Sequence, residues 1–117
     1  MTRGSTSYQN GLAAEDIAAR HYLALGATEF ARRWKTPEGE IDLIVNLAGM
    51  LIFVEVKARK TLAIAAGAIT AKQKGRLMNC AQQYLAKHAD LNADCRFDLA
   101  MVDRLGACEV IENILAD

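Results

Sequence analysis

Two short stretches, residues 40–46 and 51–58, constrain this chain more than anything else in it. They are rich in Ile, Val, Leu and Phe, too short for helices, and separated by Leu47-Ala48-Gly49-Met50. That pattern predicts two strands joined as a hairpin. Centred on Ala48-Gly49, the hairpin pairs Ile41 with Val56, Leu43 with Val54 and Val45 with Ile52, which makes one side wholly apolar. A one-residue slip would destroy that side, so the register is well specified. The opposite side pairs Ile44 with Phe53, Asp42 with Glu55 and Glu40 with Lys57.

This register places two carboxylates directly across from each other, with Cβ atoms roughly 5 Å apart. Like charges so placed are destabilising unless something positive lies between them. A divalent cation meets that need, and hard oxygen donors at this spacing suit Mg²⁺ or Mn²⁺. Water and phosphate would fill the remaining positions, and the backbone carbonyl of Val56 is a further candidate ligand. Lys57 lies two residues along the same face, where it can position a nucleophile or stabilise negative charge. Glu15 is a third candidate ligand. Its helical neighbours Ala18 and Tyr22 belong to an apolar stripe, so its carboxylate leans toward the sheet. The same residues also allow plainer readings. A Glu-x-Lys in a strand can be a solvated face, and Glu15 can pair with Arg33 or Arg20.

The rest of the chain frames the hairpin. Residues 6–25 read as a helix, with Ser5-Thr6-Ser7 at its start, a stripe of Ala14, Ile17, Ala18, Tyr22 and Leu25, and Gly26 as its stop. Residues 28–35 read as a strand, followed by a turn at Thr36-Pro37-Glu38-Gly39. Residues 60–69 show no period and read as a loop. Residues 70–88 form a second helix, with Leu77, Ala81, Tyr84 and Leu85 on one side. Strands follow at 95–103 and 108–115, separated by a turn near Leu105-Gly106. The order α-β-β-β-α-β-β predicts an α/β fold, a mixed central sheet flanked by helices, in a single domain over residues 1–117.

Composition enters the argument at three points. No apolar run is long enough to span a bilayer, and no apolar core follows the first seven residues. No membrane association and a cytoplasmic location are therefore expected. Cys80, Cys95 and Cys108 have no metal-knuckle spacing and read as free, buried thiols. Lys plus Arg and Asp plus Glu both total 14, so the net charge is zero. That excludes a protein that coats nucleic acid through charge alone. Between Arg32 and Arg76, however, nine cations stand against four carboxylates, a local excess of five. Arg33, Trp34 and Lys35 form one candidate nucleic-acid contact; Arg59 and the trio Lys72, Lys74 and Arg76 form others. The trio opens the second helix, where cations oppose the dipole and gain from a facing phosphate. Trp34 in the core is the plainer reading.

These residues resemble the YraN-like family of small bacterial proteins. That family looks like a branch of the restriction-endonuclease-like, or PD-(D/E)xK, nuclease superfamily, which includes archaeal Holliday-junction resolvases. The resemblance begins at Gly11 and Glu15 and runs through Tyr22-Leu23, Gly26 and Ala31-Arg32-Arg33-Trp34-Lys35. Its core is Gly39-Glu40-Ile41-Asp42-Leu43-Ile44 with Phe53-Val54-Glu55-Val56-Lys57-Ala58-Arg59, and it extends more weakly to Lys72-Gln73, Tyr84-Leu85 and Arg96-Phe97-Asp98. It implies that Asp42 and Glu55 are metal ligands, that Lys57 is the motif lysine, and that Glu15 is the helix-one acid. Ile41 stands where the motif has Pro, and the segment from Lys60 to Gly67 departs from the Phe-Gly loop of relatives. The resemblance implies a Mg²⁺- or Mn²⁺-dependent DNA endonuclease, acting on branched or flapped structures and leaving 5′-phosphate and 3′-hydroxyl ends. It also implies a homodimer. Two alternatives stand beside it: a nucleic-acid-binding module with the nuclease fold and little turnover, and an interaction scaffold in which Asp42, Glu55 and Lys57 are only an ion-pair cluster.

Overall fold

A computed structural model describes residues 3–88 and 94–115, with side chains from residue 11 onward. Its elements are α1 (Arg3–Ala24), β1 (Thr28–Thr36), β2 (Gly39–Leu47), β3 (Met50–Ala58), α2 (Leu62–Ala66), α3 (Ala71–Lys87), β4 (Asp94–Val102) and β5 (Cys108–Ile111). The five strands form one sheet in the order β1-β2-β3-β4-β5. All neighbours are antiparallel except β3 and β4, which are parallel and joined through α2 and α3. This is the mixed sheet flanked by helices that the sequence predicts, in the arrangement of the restriction-endonuclease-like fold. Among the described residues no helix is long and apolar enough to cross a membrane.

The central hairpin takes the expected register. Leu43 pairs with Val54, Ile44 with Phe53, Val45 with Ile52 and Leu47 with Met50. The two-residue turn has Ala48 at φ 52° and Gly49 at φ 84°, the left-handed pair that matches strand twist. Leu43, Val45, Ile52 and Val54 pack against Ala18, Ala19 and Tyr22 of α1. Ile44, Leu51 and Phe53 pack against Leu77, Cys80, Ala81 and Tyr84 of α3. Each sheet face is thereby covered by one long helix.

Within β2 alternation fails at one place, and the expected pairings of Ile41 with Val56, Asp42 with Glu55 and Glu40 with Lys57 fail with it, since the β2–β3 ladder ends at Leu43–Val54. Ile41 joins Ile44 in the core under α3, whereas Val56 packs with the α1 core. Residues 41 and 44 share a face only if the strand is irregular between them. The irregularity sits opposite Arg33, whose φ of 52° is left-handed and whose place in the β1–β2 ladder, between Arg32–Leu43 and Trp34–Ile41, is skipped. Trp34 turns inward beside Ile41 for the same reason.

Other boundaries also move. Helix α1 starts at Arg3, so Ser5-Thr6-Ser7 lies within it rather than before it; the capping expected of those side chains falls outside the described residues. Gly26, at φ 97°, does end that helix, with its N–H and that of Ala27 donating to the carbonyls of Leu23 and Tyr22. Leu25 is exposed rather than part of the stripe. Residues 60–69 are not wholly a loop: Thr61 accepts the N–H of Ile64 and caps the short α2. Strand β5 stops at Ile111 instead of 115. There the N–H of Asn113 donates to Asp98 and that of Ile114 to the carbonyl of Phe97, pulling the chain off the sheet edge. Of the three thiols expected to be buried, only Cys80 is; Cys95 is exposed and Cys108 half-buried.

Candidate metal centre

The irregularity at Arg33 and Asp42 is where the site lies. The β2–β3 ladder runs as far as Leu43–Val54, and beyond it the Asp42 side chain takes over from the backbone. Its Oδ2 accepts the N–H of Val56 at 2.8 Å. This fixes the carboxylate beside β3 at the point where the strands diverge. Glu55 and Lys57 follow on β3, with Lys57 Nζ 3.3 Å from Glu55 Oε1. Both side chains are largely shielded, at 11% exposure for Lys57 and 17% for Glu55. Glu15 reaches the same place from α1 and is buried at 5% exposure. Its Oε1 accepts from Arg33 Nε at 2.7 Å. A cavity of about 420 Å³ is lined by Glu15, Arg33, Glu40, Asp42, Glu55 and Lys57, among others.

The electrostatics are those of crowded carboxyl groups. Burial pushes the Asp42 carboxyl up to about 7, and the neighbouring charges of Glu55, Glu15 and Glu40 push the same way. The Val56 N–H opposes them by stabilising the ionised form. Burial also raises Glu55, against the opposing pull of Lys57 and of its hydrogen bond with Asp42. A pair of half-buried carboxyls that resists ionising is a site short of positive charge.

The structure therefore brings Asp42, Glu55 and Lys57 together and gives Glu15 to Arg33. Among the described residues no three His, Cys, Asp or Glu side chains converge as a ready-made ligand set. The donor set fits a hard divalent cation held by Asp42 and Glu55, with water or phosphate oxygens completing the shell, since Mg²⁺ keeps several non-protein ligands.

The predicted nucleic-acid contacts divide. Arg33 lies inside the cavity and Arg59 lines it from the end of β3. Arg76 lines a second cavity of about 260 Å³ on the α3 side, which also reaches Glu40, Asp42 and Glu55. Lys35 and Lys72 are exposed and Lys74 half-buried. Trp34 stands apart: it packs edge-on against Tyr84, with ring centroids 5.2 Å apart, and Lys87 Nζ sits 5.7 Å from its ring centre. Two residues outside the predicted set line the centre. Glu40 borders both cavities; the signal for it was the expected pairing with Lys57, which the ladder does not form. Gln73 borders the second, and its signal is the Thr70-x-x-Gln73 spacing of a capping box, which the structure forms.

The chain is similar to known proteins along nearly all of its length. Residues 14–102 match the profile described as uncharacterised protein family UPF0102. A UPF0102 protein of Cereibacter sphaeroides is 43% identical over 115 residues, covering 97% of each chain. One from Roseobacter denitrificans is 38% identical over 97% of this chain and 89% of its own. One from Nitrobacter winogradskyi is 42% identical over 82% of both.

Proposed function

We propose, for a chain that belongs to the UPF0102 family, that the Asp42–Glu55–Lys57 centre is the active site of a Mg²⁺- or Mn²⁺-dependent DNA endonuclease. The observation that carries the reading is the juxtaposition itself. An Asp carboxylate held by a backbone N–H, a raised Glu and a shielded Lys meet in one cavity at the divergence of two strands. Membership of the family and the restriction-endonuclease-like sheet support it.

Asp42 and Glu55 would hold the cation. When bound, it supplies an acidified water and charge neutralisation at phosphate. This chain's own residues do the rest. The Val56 N–H keeps Asp42 aimed into the cavity. Lys57 lies beside Glu55, where its ammonium can meet the attacking oxygen or the negative charge on the phosphoryl oxygens in the transition state. Arg33 and Arg59, at the same cavity, orient the scissile strand through its phosphates. In-line attack of water on phosphorus forms one P–O bond and breaks the P–O3′ bond, leaving 5′-phosphate and 3′-hydroxyl ends.

The test is a cleavage screen over linear, flapped and four-way DNA with Mg²⁺ or Mn²⁺. Cleavage that falls by roughly two to four orders of magnitude in Lys57→Ala and Asp42→Asn supports the reading. Intact DNA throughout, together with calorimetry that detects no cation, overturns it. DNA binding that is unchanged in the joint Asp42→Ala, Glu55→Ala variant, without any cleavage, assigns the chain instead to a binding module.

A further inference from the structure

Next to the metal centre lies a second groove of about 550 Å³, between α1 and the turn joining β4 to β5. The two cavities share Ala14, Ala58 and Arg59, so anything extended through the first continues into the second. Arg59, Lys60 and Arg104 rim the groove and all three are exposed. Among the described residues none of the three forms an ion pair. The one acid on the described rim, Asp103, is engaged: its Oδ1 accepts the N–H groups of Leu105 and Ala107, each at 2.9 Å. The floor is apolar, from Ala13, Ala14, Ile17 and Val102.

Leu105 is the unusual residue. It is 85% exposed, the most exposed large apolar side chain among the described residues. It does not sit on a loose loop. Besides the Asp103 carboxylate bonds, Gly106 donates to the carbonyl of Asp103 at 3.1 Å and Asp103 to that of Ala107 at 3.0 Å. Gly106 takes φ +87°, a left-handed conformation that glycine adopts without strain. An ordered turn thus holds an aliphatic side chain in water beside three cations.

A paired duplex shows mainly phosphates to such a groove and keeps its bases stacked inside. An unpaired strand offers phosphates and base faces together, which matches a cationic rim over an apolar floor. Exposed aliphatic side chains also wedge against base steps where stacking is interrupted. We propose that this groove binds the single-stranded arm of a flapped or branched DNA, with phosphates on Arg59, Lys60 and Arg104 and bases against Leu105. The inference rests on the nuclease reading and names the substrate that the same centre would take.

The experiment is fluorescence anisotropy in EDTA, where no strand is cut, with a labelled duplex carrying a single-stranded arm and the same duplex blunt-ended. The wild-type chain is expected to prefer the armed DNA about tenfold. The joint variant Lys60→Ala, Arg104→Ala is expected to lose most of that preference and to lower the salt slope by about 1.4, the value for two single-strand phosphate contacts. Leu105→Ser is expected to lose the preference while keeping the salt slope. The charge-matched control Arg20→Ala, Lys87→Ala, both outside the groove, is expected to match wild type. Thermal melts of each variant check folding. Equal binding of armed and blunt DNA by the wild type, no binding of either, or an unchanged preference and slope in Lys60→Ala, Arg104→Ala overturns the proposal. Arm preference that depends on the groove, with no cleavage under any metal, overturns the nuclease reading and leaves the groove assignment in place.

Discussion

Asp42 and Glu55 share one half-buried cavity, and their protonation sets how the metal-free protein responds to pH. Asp42 is raised from its ordinary 3.8 to about 7 by burial first and by neighbouring carboxylates second. Between those values the folded chain holds a proton that the unfolded chain has released. Stability from this group is therefore complete at low pH and lost as pH rises through about 7. Without metal, the melting temperature is expected to fall between pH 4.5 and 7.5, and Asp42→Asn to flatten that fall; a parallel profile in the variant counts against the assignment. A cation that occupies the pair displaces the proton, so Mn²⁺ affinity is expected to climb with pH, by about tenfold per unit below 7. Calorimetry at pH 5.5, 6.5 and 7.5 reads this directly. Although the ladder itself ends one pair short of them, at Leu43–Val54, the sequence drew attention to these two carboxylates by extending the hairpin register. It could not show that Glu15 belongs to Arg33: the guanidinium reaches α1 only because Arg33 adopts a left-handed φ in mid-strand.

At the scale of elements, the hairpin turn and the end of β5 carry the clearest consequences. Ala48 sits at φ 52° with a Cβ that disfavours the left-handed region, while Gly49 beside it fits without strain. Ala48→Asn is expected to stabilise the protein by about 0.5–1 kcal/mol in urea unfolding, because Asn tolerates that conformation. No gain would mean that the turn relaxes in solution. The C-terminal segment is held by Asp98, fully buried on β4. Its carboxylate accepts from Tyr22 Oη, from Arg96 through two nitrogens and from the Asn113 N–H. Asp98→Ala would leave a buried phenol unpaired and the Arg96 guanidinium with only the exposed Glu112, and is expected to cost about 3–5 kcal/mol. Tyr22→Phe removes one donor of four and is expected to cost about 1.5–3 kcal/mol; equal losses in the two variants would show that the network does not act through Asp98. None of this was legible in the sequence. The sequence reads 108–115 as one strand, and only the partners waiting on β4 explain why it ends at Ile111.

For the whole molecule, the zero net charge and the local excess around the site make different demands. Nine cations to four carboxylates between Arg32 and Arg76 concentrate attraction for phosphate in one stretch of a neutral chain. Blunt undamaged duplex is accordingly expected to bind weakly, with a dissociation constant of about 10⁻⁴–10⁻⁶ M near physiological salt, and more weakly still as salt rises. Nanomolar binding of blunt duplex that ignores salt, read by the same anisotropy titration, would contradict this. The folded chain also sorts the cations. Arg33 and Arg59 reach the cavity, Arg76 reaches its neighbour, and Lys87 stands over Trp34 instead of facing a partner.

The sequence by itself determined the sheet-and-helix order and the central register from Leu43–Val54 to the turn, and it brought Asp42 and Glu55 to the same end of the hairpin. Those follow from periodicity and turn chemistry, which act over a few residues. Tertiary structure decided which face Ile41 and Trp34 occupy, where β5 stops, that Glu15 meets Arg33, and that Leu105 stands beside Lys60 and Arg104. Each of those joins residues distant in the chain, and one left-handed residue or one buried carboxylate outweighs the local pattern there. Local propensity sets what a segment prefers; the partners brought by the fold set what it does.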